Sequence, residues 1–349
     1  MTVDQMFDQA HAAFRAERWA EAERGYRALT GLKPLEAFHN LGVLYQSTRR
    51  FAESETAFRA ALEAKPDSLV TRHALAFLLL SNGDYREGWA LYEARRGLPQ
   101  LGIERPNPGY PEWRGEDLAG KHVLVVREQG VGDQIQFARF LPELARRGAR
   151  VTYLSEPSLV TLFRSNGIDA VPAVVGERFP EADFWVLLGS LPLRLGLTLP
   201  SLCGAPYLAA QPSEGAGGGV GVKLRGSPNH NNDRFRSLSG EAAAAIEALG
   251  RDLDPSATGA ADYLETAGIV AGLDLVITVD TAVAHLAGAL GKPVWILLSA
   301  RNTDWRWLHE RSDSPWYDSA RLYRQDAPQR WGPVIRRVQE DLAAKVDPG

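Results

Sequence analysis

The chain has 349 residues, 45% of them hydrophobic and 23% charged, which suits two or three packed domains and excludes a disordered or collagen-like chain. Its 39 basic and 43 acidic side chains leave a net charge of −4, which argues against a broad basic face for nucleic acid. One cysteine, Cys203, allows no internal disulfide, the first residues lack the basic and apolar regions of a signal peptide, and no apolar run reaches the roughly 18 residues of a membrane span. The expectation is a cytoplasmic protein without a transmembrane segment.

The first hundred residues repeat themselves. An aromatic residue recurs as Trp19, Phe51 and Tyr85, a small residue as Ala22, Ser54 and Gly88, and a second aromatic as Tyr26, Phe58 and Tyr92, each series stepping by 32 and then 34 residues. In the middle unit Phe38, Leu41, Gly42 and Tyr45 fall on one helix, Ser54, Phe58 and Ala61 on the next, and Pro66 closes it. This pattern resembles the tetratricopeptide repeat, a helical hairpin that buries its apolar face only by stacking on its neighbours. Gly42 and Ser54 would let two backbones approach while Tyr45 and Phe58 fill the gap. About three repeats are expected over residues 1–96, with the first, where Gln9 replaces an apolar residue, as the cap. Such stacks bind peptides or proteins on a concave face. The alternative is a short helical prefix that only supports the next domain.

Residues 97–116 read as a linker or extended wrap, with four prolines between Gly97 and Trp113 and no helical period. A strand, loop and helix pattern follows, the mark of an open parallel sheet. In a first lobe, residues 117–212, strands are expected at His122–Val126, Val151–Leu154 and Ala182–Leu188, with a helix at Ser158–Arg164. After the glycine-rich break Gly215–Gly219 the pattern restarts in a second lobe, residues 218–349. Its strands are expected at Val220–Leu224, Leu273–Val279 and Val294–Leu298, and its helices at Ser239–Leu249 and Thr281–Leu290. Ligands of such sheets lie outside the carboxyl ends of the strands.

Three stretches there carry candidate chemistry. In the first, a buried strand ends in Asp280 and a helix opens on Thr281, Ala282 and Ala284, whose small side chains leave the first N–H groups open to an anion such as a diphosphate, with His285 one turn on. The plain alternative is that Asp280 only caps a helix. The second is Glu128-Gln129-Gly130-Val131-Gly132-Asp133, followed by Gln136, where glycines bring the backbone close and Asp133 at a helix start can accept a proton from a bound hydroxyl or act only as a cap. A complete dinucleotide fingerprint is missing, since Gly130-Val-Gly132 lacks the third glycine, which weakens a nicotinamide oxidoreductase. The third is the polar loop 225–237, in which Asn229, Asp233 and Arg236 could hold a phosphate or sugar or lie solvated. His230 and His285 lack metal-ligand partners in the sequence, so neither a metal nor a cofactor is expected.

Taken together, Gly-Val-Gly-Asp133 with Ile135-Gln-Phe-Ala-Arg139, Ser190-Leu-Pro-Leu, Gly226-Ser-Pro-x-His-x-Asn-Asp233-x-x-Arg236-Ser and Val279-Asp-Thr-Ala-Val-Ala-His285-Leu-Ala-Gly resemble the bacterial tetratricopeptide-repeat glycosyltransferases related to the heptosyltransferases of glycosyltransferase family 9. Gly88-Trp-x-x-Tyr-Glu93-x-Arg and Asp304-Trp-Arg-Trp307 extend the resemblance over nearly the whole chain. It implies α-helical tetratricopeptide repeats followed by an α/β GT-B fold of two Rossmann-like lobes, acceptor in the first and nucleotide-sugar in the second. The implied reaction is an inverting, metal-independent transfer of a sugar to a hydroxyl. Asp133 matches the proposed catalytic base; Asp280, Thr281, Ala282 and His285 match the segment holding the donor's diphosphate and sugar. Repeat-bearing relatives include enzymes that glycosylate proteins, flagellin among them, so a protein acceptor presented by the repeats is expected. A lipopolysaccharide-core transferase and a non-catalytic repeat scaffold with a degenerate transferase domain are the alternatives. Two departures stand out. Lys223-Leu224-Arg225 places two cations, beside Arg234 and Arg236, near the expected donor site, and the 250–261 segment is short for the strand and loop that usually help to hold the nucleotide base.

Overall fold

The computed structural model describes all residues except 104–105, 175, 216, 229–231 and 347–349. It divides into two compact units, one formed by Met1–Ile103 together with Asp304–His309, the other by Glu104–Thr303 and Glu310–Gly349.

The first unit is helical: α1 (Val3–Arg15), α2 (Trp19–Leu29), α3 (Pro34–Ser47), α4 (Phe51–Ala64), α5 (Leu69–Asn82) and α6 (Tyr85–Tyr92). Successive helices pack as the hairpins α1–α2, α3–α4 and α5–α6. Small residues set their closeness. The Ser54 hydroxyl donates to the Gly42 carbonyl at 2.8 Å, and a β-carbon on Gly42 would fall 2.5 Å from the Phe58 ring. Tyr26, Phe58 and Tyr92, the recurring second aromatics, are all buried. The far end of this unit is completed by residues from more than 200 positions later. Trp305, in the 3-10 turn Trp305–Trp307, packs edge-on against Trp89 with ring centroids 5.1 Å apart, and meets Tyr92 at 6.2 Å.

The second unit is α/β with two sheets. The first sheet has the order β3-β2-β1-β4, all parallel, with β1 (His122–Val126), β2 (Arg150–Ser155), β3 (Ala170–Pro172) and β4 (Phe184–Leu187). Val123 to Val126 are buried, as expected of a strand covered on both faces. Helices α7 (Val131–Ala138), α8 (Leu141–Arg146), α9 (Val160–Ser165) and α10 (Leu191–Arg194) connect and follow these strands. The proline-rich segment extends this sheet: Trp113 donates to the Trp185 carbonyl and Trp185 to that of Pro111, a wrap along β4.

The second sheet has the order β6-β5-β7-β8-β10-β9, from β5 (Val220–Lys223), β6 (Arg251–Asp252), β7 (Leu275–Val279), β8 (Val294–Leu298), β9 (Asp313–Ser314) and β10 (Tyr317–Arg324). Only β9 runs antiparallel to its neighbour. Its helices are α11 (Asp233–Arg236), α12 (Gly240–Glu247), α13 (Pro255–Thr258), α14 (Tyr263–Ala271), α15 (Ala282–Ala289) and α16 (Gly332–Val346). The helical region followed by parallel α/β sheets is the architecture expected from the sequence. Within the short 250–261 segment the strand is reduced to Arg251 and Asp252, followed by one turn of helix. The strand β10 and the helix α16 had no expectation attached to them.

Candidate functional site

The two sheets meet through α7 and α15, and their contact fixes the candidate site. Gly132 lies in the first turn of α7 and faces the first turn of α15: a β-carbon there would sit 2.8 Å from His285 Cδ2 and 3.5 Å from Ala282 Cα. A side chain at position 132 would therefore separate the helices. Both helices follow strands, β1 and β7, so the meeting point lies at the carboxyl ends of both sheets, where open α/β folds bind ligands.

On the β7 side, Val279 is buried, Asp280 follows, and Thr281 begins α15 with extended backbone. The Thr281 hydroxyl does not cap the helix; it lies 3.1 Å from that of Thr278. The N-cap residue thus supplies no side-chain acceptor to the first amides of α15, and the helix dipole concentrates partial positive charge on them. By contrast, Asp254 and Asp262 cap α13 and α14 with their carboxylates. His285 is buried; its Nδ1 is 2.9 Å from the Tyr317 hydroxyl and its Nε2 4.0 Å from Asp280 Oδ1.

The loop after β5 folds onto the same place. Arg236 donates through Nη1 to the Asp280 carbonyl at 2.7 Å and through Nε to Asp233 Oδ1 at 3.3 Å. The Ser237 hydroxyl donates to Asp233 at 2.8 Å and accepts from the Gly226 amide at 2.9 Å. Position 226 has no room for a side chain, because a β-carbon would fall 2.5 Å from Asp233 Oδ1. Asn229 lies outside the described residues, as does His230.

Two further cations of this region, Lys223 and Arg225, have carboxylate partners of their own. Lys223 is ion-paired with Asp254, whose carboxyl is held down to about 2 by that hydrogen bond and by those from Ser256. Arg225 is largely exposed and 3.8 Å from Glu247. The sequence shows four neighbouring cations; the structure gives Lys223, Arg225 and Arg236 carboxylate partners and sets Arg234 over the Phe235 ring.

On the β1 side, Asp133 accepts from the Gly130 amide at 3.0 Å and so closes the first turn of α7. Glu128 is buried and accepts from the Gly189 amide at 2.6 Å, which ties the loop to the turn that follows β4. Gln129 adopts a left-handed backbone, φ 61°, and delivers Gly130 to the helix start. Gln136 is fully buried, and neither end of its amide finds a hydrogen-bond partner among the described residues. Sequence reasoning placed these residues at the site but missed Tyr317, which the structure sets against His285. Its only sequence signal is position within the unforeseen strand β10. Among the described residues no group of three or more His, Cys, Asp or Glu side chains could hold a metal ion, and no helix is long and apolar enough to cross a membrane.

Residues 219–313, which span the loop after β5, Asp280 and α15, match the sequence profile of glycosyltransferase family 9 (heptosyltransferase). The chain is 28% identical over 371 aligned residues to protein FlbA of Caulobacter vibrioides, covering 88% of this chain and 61% of FlbA, so it spans about three-fifths of that relative's length. Among solved structures it is similar to a family 9 glycosyl transferase from Veillonella parvula, at 13% identity and a TM-score of 0.44, covering 67% of this chain and 99% of that one. The E. coli ADP-heptose lipopolysaccharide heptosyltransferase II is similar at 16% identity and a TM-score of 0.43, covering 64% and 98%.

Proposed function

We propose, on the premise that residues 219–313 form a glycosyltransferase family 9 domain, that the protein is an inverting, metal-independent glycosyltransferase acting from a nucleotide-sugar onto a hydroxyl of a protein acceptor. The observation that carries this reading is the start of α15: a helix that its N-cap residue Thr281 does not cap, packed at Gly132 against the opposite lobe at the carboxyl ends of two parallel sheets. An anionic leaving group suits that position, because it supplies acceptors for the amides and charge for the dipole.

In this reading Asp280, Thr281, Ala282 and His285 hold the diphosphate and sugar, with Asp233 and Arg236 shaping the loop above them and Lys223, Arg225 and Asn229 at its edge. Glu128, Gln129, Gly130, Gly132 and Gln136 form the acceptor side. Asp133 takes the proton from the acceptor hydroxyl; the oxygen attacks the anomeric carbon, and the bond from that carbon to the diphosphate breaks. Negative charge then gathers on the leaving oxygen, where the α15 amides stabilise it more than they did in the ground state. The domain organisation proposed with it is a tetratricopeptide-repeat region at 1–96, a linker at 97–116, an acceptor lobe at 117–212 and a donor lobe at 218–349. The recurring buried aromatics and the Ser54–Gly42 hydrogen bond support the repeat assignment.

The test is a thermal-shift screen of UDP, GDP, ADP and CMP. A ligand present at 100 times its dissociation constant stabilises by about 2.7 kcal/mol. At least one is expected to raise the melting temperature, and a flat response to all four would overturn the proposal. A flat response would favour a non-catalytic scaffold, a reading to which the two-residue strand β6 in place of a longer base-holding segment lends weight.

A further inference from the structure

Arg139 ends α7 and is the point where three separate segments of the α/β unit converge. Its Nε donates to the Gln136 carbonyl at 3.0 Å, its Nη1 to that of Cys203 at 2.9 Å and its Nη2 to that of Trp316 at 2.9 Å. The guanidinium plane lies over three aromatic rings, 4.5 Å from the centroid of Tyr207, 4.9 Å from Tyr317 and 5.2 Å from Trp316. Among the described residues its partners are carbonyls, the Tyr207 and Tyr317 side chains and the Trp316 ring rather than a carboxylate. An arginine suits this setting because a planar, weakly hydrated cation can stack and donate in several directions at once, which a lysine ammonium cannot.

Gln136 belongs to α7 of the first lobe, Cys203 and Tyr207 to the segment after α10 that ends that lobe, and Trp316 and Tyr317 to the second lobe. Tyr207 reinforces the junction: its hydroxyl donates to the Ile135 carbonyl at 2.8 Å and its amide to that of Ala289, the last residue of α15. Tyr317 is fully buried, presses its ring against Gly288 of α15 and presents its hydroxyl to His285 Nδ1. A path of direct contacts thus runs from Arg139 in one lobe through the Tyr317 ring to the His285 imidazole, which the first lobe also touches at Gly132.

We propose that Arg139 is a positioning residue: from the opposite lobe, and through Tyr317, it fixes the orientation of the His285 ring at the start of α15. Where the Tyr317 hydroxyl donates to Nδ1, the neutral His285 ring carries its proton on Nε2, 4.0 Å from Asp280 Oδ1. Loss of the Arg139 clamp frees the Trp316–Tyr317 corner and lets the imidazole turn. Its consequence for donor binding rests on the function proposed above; the effect on the ring does not.

The experiment therefore has two readouts on the full chain. Histidine-labelled protein is compared by NMR as wild type, Arg139→Met, Arg139→Lys and Tyr317→Phe, the His285 ring signals being identified by their loss in His285→Gln. Both Arg139→Met and Tyr317→Phe are expected to move the His285 ring signals, and Arg139→Lys to fail to restore them. An unmoved His285 ring in folded Arg139→Met overturns the proposal, and where that variant does not fold, Arg139→Lys decides in the same way. Calorimetry with nucleoside diphosphates is the second readout. Each single variant is expected to weaken binding about tenfold and the Arg139→Met/Tyr317→Phe double variant by little more, since the two act on one path. A loss near a hundredfold in the double variant, the product of independent effects, would overturn it. If wild type binds no nucleotide, the transferase reading fails on its own and the His285 signals still decide the role of Arg139.

Discussion

Gly132 is in contact with His285 across the two lobes, and a β-carbon at position 132 would approach His285 Cδ2 to 2.8 Å. Alanine is a better helix former than glycine by about 1 kcal/mol, so local propensity favours Gly132→Ala. Packing opposes it, because the His285 ring is buried and held by Tyr317 and cannot give way as an exposed side chain would. Overpacking costs about 1–3 kcal/mol, so the net effect is a destabilisation of up to about 2 kcal/mol, with weaker binding of any ligand at α15. Urea unfolding measures it against Gly31→Ala, where a β-carbon meets nothing within 4 Å and stability should be unchanged or slightly raised.

For Asp133, chemistry and structure are separable by the choice of variant. Its carboxylate accepts the Gly130 amide, so removal to alanine also removes a cap worth about 1 kcal/mol. Asparagine keeps an acceptor oxygen and loses the base. Asp133→Asn is expected to melt close to wild type and to reduce transfer or donor hydrolysis by about a hundredfold or more, while binding of nucleoside diphosphate is retained. The rate should also survive excess EDTA. A wild-type rate in Asp133→Asn would remove Asp133 as the base.

Much of the sheet framework could be read in advance, and the reason is local. His122–Val126 and Val294–Leu298 are runs of β-branched and aliphatic residues, and they form strands over those same residues. The strand β10 could not be read because Asp318 and Arg324 on one face and Arg321 on the other break any apolar run or alternation; it holds by burying Tyr317, Leu322 and Tyr323 and by the Arg321–Asp341 ion pair to α16. At the site, loop composition pointed to the start of α15 and to Asp133, but contacts between distant segments leave no local trace. The Gly132–His285 approach, the pairing of Lys223 with Asp254 and the clamp at Arg139 are all of that kind.

His73 makes the helical unit sensitive to acid. It stands between Phe77 and Tyr92, with ring centroids 4.8 and 6.0 Å away, and burial, aided by the charge of Arg95, depresses its pKa to about 4. The unfolded chain, with an ordinary histidine near 6.5, therefore binds the proton more tightly than the folded one. The associated stability is fully present above about pH 6.5 and falls as pH drops toward 4, by an amount on the order of 3 kcal/mol at the lower end. Urea midpoints between pH 7 and 4 should fall in the wild type and fall less in His73→Gln. Glu23, held down to about 2 chiefly by Arg50, acts in a lower window: its contribution is present above its unfolded value, near 4.3, and is lost as pH falls toward 2.

Trp305 tests whether the helical unit depends on residues distant in the chain. It is 1% exposed, packs edge-on against Trp89 at 5.1 Å and meets Tyr92 at 6.2 Å, while the Arg306 guanidinium lies over its ring at 4.9 Å. Truncation leaves a cavity among aromatic side chains that cannot collapse without moving α5 and α6, so Trp305→Ala is expected to cost about 3–5 kcal/mol. The loss should fall on the helical unit. Hydrogen exchange read by mass spectrometry would show faster exchange in Leu69–Tyr92 and little change in β1 or β7. A fragment ending at Ile103 lacks the same aromatic cover and should exchange quickly over that same stretch, even where α1 to α4 remain protected. Equal protection of Leu69–Tyr92 in the wild type and in Trp305→Ala would show that the unit closes on its own helices alone.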